Sequence, residues 1–227
     1  MTKSIDTLSM DPGTPSNGYY DVGPFKWTWF GGPHLEAFMS VKVGTTGYDF
    51  GNIIVEAMIR LGAAMADRTL YTAIADRIET HRIGGRQITP QGFAAADVDR
   101  IFKARDLRHS SYRIGSTGGD RWGEAQLGDN WLSLNAASIT DTILTRFGQN
   151  AGRVADVTAG VIVHEMMHCG GFDHSLRPGD YIYECSLPEI AQDAFLQMRD
   201  PTGAYAPYGL VGRDGASVET RCGLHRD

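Results

Sequence analysis

Cysteine is scarce in this chain, with three in 227 residues: Cys169, Cys185 and Cys222. An odd, low count is not a disulfide framework, although it leaves room for one bridge. Positive charge is in deficit as well. Lys and Arg number 21 against 27 Asp and Glu, a net charge of −6, which argues against a general nucleic-acid binder that needs a basic surface to displace phosphate counterions. Long apolar runs are missing, so no membrane-spanning helix is expected. The opening MTKSIDTLSMDPGTPSNGYY has no apolar core of a Sec signal peptide. These absences lead us to expect a soluble protein, kept in the cytoplasm or exported without a Sec leader, with neither nucleic acid nor membrane as partner. What is present is an ordinary globular balance, 42% hydrophobic and 21% charged. A chain of this length hides about 70% of its unfolded surface, enough for a real core, in one large domain or two small ones.

Residues 1–24 are rich in Gly, Pro, Ser and Asp without periodicity and read as a flexible N-terminal arm. Residues 25–227 show no repeat and no clear linker, so a single domain is expected there. Phe25 to Phe30 alternates apolar and polar residues and reads as a strand, as does Ala37 to Val43; Gly-Gly-Pro and Gly-Thr-Thr-Gly bound them. A helical pattern runs from about Asn52 to Arg82 with a break expected near Gly62. Thr89-Pro90 signals a further helix to about Leu107. Ser111 to Ile114 reads as a short strand, the glycine-rich residues 115–130 as a loop, and Trp131 to Asn135 as an edge or half-buried strand. A short helix is expected over Thr140 to Phe147, ended by Gly148. Asp156 is expected to cap an apolar helix, DVTAGVIVHEMMHC, which Gly170 or Gly171 stops. Ser186 with Glu189 forms a capping box for a last helix, Leu187 to about Met198, before an irregular C-terminal part.

One segment carries chemistry: His164-Glu165-Met166-Met167-His168-Cys169-Gly170-Gly171-Phe172-Asp173-His174. Residues i and i+4 share a helix face, so His164 and His168 can present two imidazoles to one metal ion. Glu165 falls beside that ion rather than on it, where a carboxylate can take a proton from metal-bound water. A third ligand requires the chain to turn. Gly171 permits a positive φ at no Cβ cost, which would bring His174 back. Three protein ligands leave a fourth position for water, the mark of a catalytic rather than a structural zinc site. With 7 His and 28 Gly, the full pattern would arise by chance less than about 10⁻⁴ times per such chain.

HEMMHCGGFDH matches the extended zinc signature of the metzincin metallopeptidases at every fixed position. The continuation GFDHSLRPGDYIY is similar to the astacin branch. The resemblance is local, about 20 residues of the chain. It implies zinc-dependent peptide hydrolysis with His164, His168 and His174 as ligands and Glu165 as general base. Metzincins also carry a Met in a tight turn beneath the zinc; the best placed here is Met198. Astacins place a Glu directly after the third His, where this chain has Ser175. Two other branches offer different third ligands. Asp180, in Gly179-Asp180-Tyr181, occupies a place similar to the aspartate of the aspzincins, and Glu184 one similar to the glutamate of the gluzincins.

Neighbouring residues have plainer readings. Cys169 sits one residue, about 100°, off the histidine face and reads as a small packed side chain. Met166 and Met167 read as core. Tyr181, Tyr183, Tyr205 and Tyr208 supply phenols able to stabilise an oxyanion, though each alone is more often structural. Asp6, Asp11 or Asp21 in the arm could cap a metal, and nothing singles one out. The expectation is an α/β, zincin-like domain: a mixed sheet backed by helices, with an active-site helix bearing HExxH. The expected activity is that of a zinc metallopeptidase; the alternatives are a non-catalytic zinc-binding interaction module and a metal-dependent hydrolase acting on a non-peptide bond. An endopeptidase cleaving a peptide or protein substrate, with Zn2+ as cofactor, is the reading these residues favour.

Overall fold

The computed structural model describes residues 19–22, 25–29, 40–66, 68–80, 82–83, 86–87, 111–116, 121–129, 131–174 and 187–200. Its elements are β1 (Tyr19–Val22), β2 (Phe25–Trp29), α1 (Phe50–Ala66), α2 (Thr69–Thr80), β3 (Arg82–Ile83), β4 (Arg86–Gln87), β5 (Ser111–Ser116), β6 (Gly123–Ala125), β7 (Trp131–Leu134), α3 (Ala136–Phe147), α4 (Ala151–Cys169) and α5 (Leu187–Arg199). Five strands form a mixed sheet in the order β1-β2-β5-β7-β6, and β3 and β4 pair separately. β2, β5 and β7 run parallel, while the outer strands β1 and β6 are antiparallel to their neighbours.

Several elements depart from the sequence expectations. Part of the expected arm is a strand: Tyr19 pairs with Thr28 and Val22 with Phe25. Lys42 makes only an isolated bridge to Asp49, so the described end of the expected Ala37–Val43 strand is a turn leading into α1. That helix begins with a reciprocal cap, in which the Asn52 amide donates to Asp49 Oδ1 and the Asp49 amide to Asn52 Oδ1. It does not break at Gly62, which is buried inside it; packing outweighs the propensity cost. The break comes at Arg68, with φ of 65°, a left-handed residue that no helix continues through. The helix expected from Thr89-Pro90 lies outside the described residues.

The glycine-rich loop contains a strand. Gly123 pairs with Leu134, Glu124 with Ser133 and Ala125 with Leu132, so β6, not β7, ends the sheet among the described strands. β7 is an interior strand with Leu132, Ser133 and Leu134 all buried, and the Ser133 hydroxyl donates to the Glu124 carbonyl. Its apparent half-burial came from Ser133, a polar residue whose partner is a neighbouring backbone.

Asp156 does not cap α4. The helix starts at Ala151 and its cap is Asn150, six residues before Asp156; Asn150 Oδ1 accepts from the Arg153 amide. Asn135 caps α3 in the same way through Ser138. Asp156 instead sits nearly buried, 2.7 Å from Arg60 Nη1 and 2.8 Å from Arg199 Nε. Arg60 also reaches Glu56 and the Gly152 carbonyl, so one carboxylate ties α1 and α5 to the metal-motif helix. Along α4 nearly every residue from Val154 to Met167 is buried. It packs on α5, α1 and α3 and against β6 and β7. Phe50, Ile54, Met58, Leu61 and Met65 from α1 and Ile190, Phe195 and Leu196 from α5 complete this core. Among the described residues no helix is long and apolar enough to cross a membrane.

Candidate metal centre

The end of α4 builds the site. Gly171 takes φ of 92°. The Phe172 amide donates to the Met167 carbonyl at 3.0 Å and the Gly171 amide to the His168 carbonyl at 2.8 Å. This pair of bonds is a Schellman stop with glycine at its left-handed position. Phe172 is buried there, and the chain turns so that His174 returns over the helix face that carries His164 and His168.

The three sequence-expected ligands come together. His174 Nε2 lies 3.1 Å from His164 Nε2 and 3.1 Å from His168 Nε2. One nitrogen from each ring falls within a 4.8 Å cluster. The rings are inclined, His164 to His168 by 68° and His168 to His174 by 73°, so their lone pairs converge instead of stacking. Tetrahedral ligation at zinc–nitrogen distances of about 2.0–2.1 Å separates ligand nitrogens by about 3.3 Å, close to this spacing.

The protonation states suit ligation. His168 Nδ1 is 2.6 Å from the Phe172 carbonyl. A carbonyl only accepts, so Nδ1 carries the hydrogen and the Nε2 lone pair faces the cluster. Burial holds His164 well below the usual imidazole range, helped by the neighbouring His174 and His168. Burial also lowers His168, against the opposing pull of the Phe172 carbonyl and Asp173. Neutral imidazole is the ligating form. The donor set and its convergence therefore fit a divalent metal such as zinc.

Glu165 is buried, and its Oε2 makes no hydrogen bond. Burial, then repulsion from Glu189 and Glu124, pushes its carboxyl up to about 8, with Arg121 opposing. Gly123 of β6 is pressed against it: a Cβ there would stand 2.5 Å from Glu165 Oε1 and 2.9 Å from Val161 Cγ1. Gly123→Ala should displace the carboxylate and lower kcat of the proposed activity about 10–100-fold with the bound metal retained. Steady-state kinetics and metal content check this; unchanged kcat would mean that the carboxylate has no fixed position. The turn after β6 is pinned to the same helix end, since the Gly128 amide donates to the His168 carbonyl at 2.9 Å.

Other expectations fall as follows. Cys169 is buried, contacts the Trp131 carbonyl, and has its thiol pushed up to about 12, first by burial; it is a packed thiol. Met166 and Met167 are core. Met198 lies in the last turn of α5, in a helix and not in a tight turn. Asp21 lies in β1 opposite Lys26. Asp6, Asp11, Ser175, Asp180, Glu184, Ser186 and the four tyrosines lie outside the described residues.

Sequence reasoning missed two residues at the site. Gly123 was one glycine among many in a segment read as loop. Glu189 reads from the sequence only as a capping residue, yet its Oε1 lies 3.6 Å from His164 Nδ1. Compared with family models, with curated proteins and with solved structures, the chain matches none.

Proposed function

We propose that this protein is a zinc metallopeptidase of zincin-like α/β architecture, hydrolysing peptide bonds with Glu165 as general base. The observation that carries this reading is the meeting of His164, His168 and His174 at their Nε2 atoms, with Glu165 one residue from the first of them. Those three imidazoles would hold the metal. Zinc bound there supplies Lewis acidity: it polarises a carbonyl, lowers the pKa of water toward about 7, and its charge favours ionised Glu165.

Glu165 takes a proton from the attacking water at a carboxylate oxygen and delivers it to the leaving amine. Its burial excludes competing solvent. Among the described strands β6 lies at the end of the sheet, beside this carboxylate, and an extended substrate adds to it as a further strand through main-chain hydrogen bonds. Gly123 keeps the strand close to Glu165 because it has no side chain to fill the gap.

Digestion of a diverse peptide library, read by mass spectrometry, tests the reading. Zinc-loaded protein should cleave internal peptide bonds, a chelator should abolish cleavage, and added zinc should restore it. Zinc uptake without any cleavage would instead indicate a binding module, and turnover confined to non-peptide bonds a different hydrolase.

A further inference from the structure

Each ring in the cluster has a second nitrogen, and these differ. His168 Nδ1 is engaged by the Phe172 carbonyl at 2.6 Å. His164 Nδ1 is buried and makes no hydrogen bond. A neutral imidazole has one N–H. If Nε2 gives its lone pair to a metal, the hydrogen sits on Nδ1, and a buried N–H without an acceptor is costly. Glu189 Oε1 stands 3.6 Å away, in the first turn of α5. It is held there by close helix packing. One turn before His164, a Cβ on Gly160 would lie 3.3 Å from Leu196 Cγ and 3.4 Å from Gln192 Cγ, so the bare glycine lets α5 sit close against α4.

We infer that Glu189 is the positioning residue of the metal centre: its carboxylate accepts the His164 Nδ1–H and fixes that ring with Nε2 toward the metal. This rests on the metal-site reading above. With metal on Nε2 the contact should shorten to about 2.7–2.9 Å, the length of a charge-assisted bond. The carboxylate also makes the ring a stronger donor. Gln192, one turn further along α5, also acts on the same ring and favours its protonated form, but its amide carries no charge with which to make the ring a stronger donor.

The test is zinc affinity of the full chain, measured by competition with a chromophoric chelator, for wild type, Glu189→Gln, Glu189→Ala, Glu189→Asp and Gln192→Ala. Affinity should fall about 10–100-fold in Glu189→Gln and Glu189→Ala, recover in part in Glu189→Asp, and stay within about threefold in Gln192→Ala. The nearly isosteric Glu189→Gln guards against loss of fold, checked by the melting temperature of the metal-free proteins. A second readout is the imidazole N–H proton of His164 in zinc-loaded protein, which should be strongly downfield in wild type and move upfield in Glu189→Gln. Zinc affinity unchanged in both Glu189→Gln and Glu189→Ala, or a loss carried by Gln192→Ala instead, overturns the inference while leaving the metal site intact. A wild-type protein that takes up no zinc sinks the metal-site reading, and this one with it.

Discussion

Glu165→Gln should lower the rate of peptide cleavage about 10²–10⁴-fold, the usual contribution of a positioned general base, while zinc affinity stays near that of wild type. Glutamine keeps the shape of the side chain and removes its ability to take a proton. Glu165 is not among the converging nitrogen donors, so the metal has no reason to leave. The effect should fall on kcat, because the residue acts on the proton in transit and not on substrate held in the ground state. Kinetics and metal analysis on the same preparation check it. Cleavage at the wild-type rate by zinc-loaded Glu165→Gln protein would mean that some other group carries the proton.

The second large effect concerns stability in the metal-free protein. The Glu165 carboxyl is pushed up to about 8 from an ordinary 4.5, first by burial and then by Glu189 and Glu124. Between those two values the folded chain holds a proton that the unfolded chain releases. Folding is then opposed increasingly as pH rises from 4.5 to 8, and the full penalty stands above 8. A shift of this size corresponds to at most about 5 kcal/mol. Glu165→Gln removes the penalty. The variant should therefore melt near the wild-type temperature at pH 4.5 and well above it at pH 8.5. His164 acts on the other side. Its folded value is depressed, so its contribution is lost as pH falls below about 6.5. That loss is common to both proteins and cancels in their difference. Melting curves across this range decide the matter, and a gap that does not widen with pH would show that Glu165 titrates normally.

The second effect is the stability cost of a buried carboxylate. Glu165 Oε2 lacks a hydrogen bond and two other carboxylates act on it. Such a group lowers stability, and groups shifted this far cluster at functional sites. The Asp156 cluster is the contrasting case. That carboxylate is nearly buried too, yet two guanidinium groups meet it within 2.8 Å. One arrangement completes its partners inside the fold; the other leaves Glu165 Oε2 without one.

Legibility from sequence followed the range of each interaction. His164 and His168 share a face because the helix repeat puts them there, and Gly171 marks the stop because only glycine adopts φ of 92° freely. Both facts are settled within a dozen residues, which is why His174 could be named with them. Helix ends were less legible. Asn150, not Asp156, caps α4, since two good capping residues precede the same apolar run and only the backbone path selects between them. The three-residue strand β6 was hidden in a segment of glycines, because a strand that short is defined by its partner β7 and not by its own pattern.

Local order along the chain was thus enough to specify the motif helix, its glycine stop and three imidazoles able to meet. Whether a carboxylate on α5 would come to the back of His164, and whether a glycine from β6 would lie on Glu165, depended on elements 25 and 42 residues away in the chain. Such contacts are set by how close helices and strands pack, and packing distance is written in no single segment.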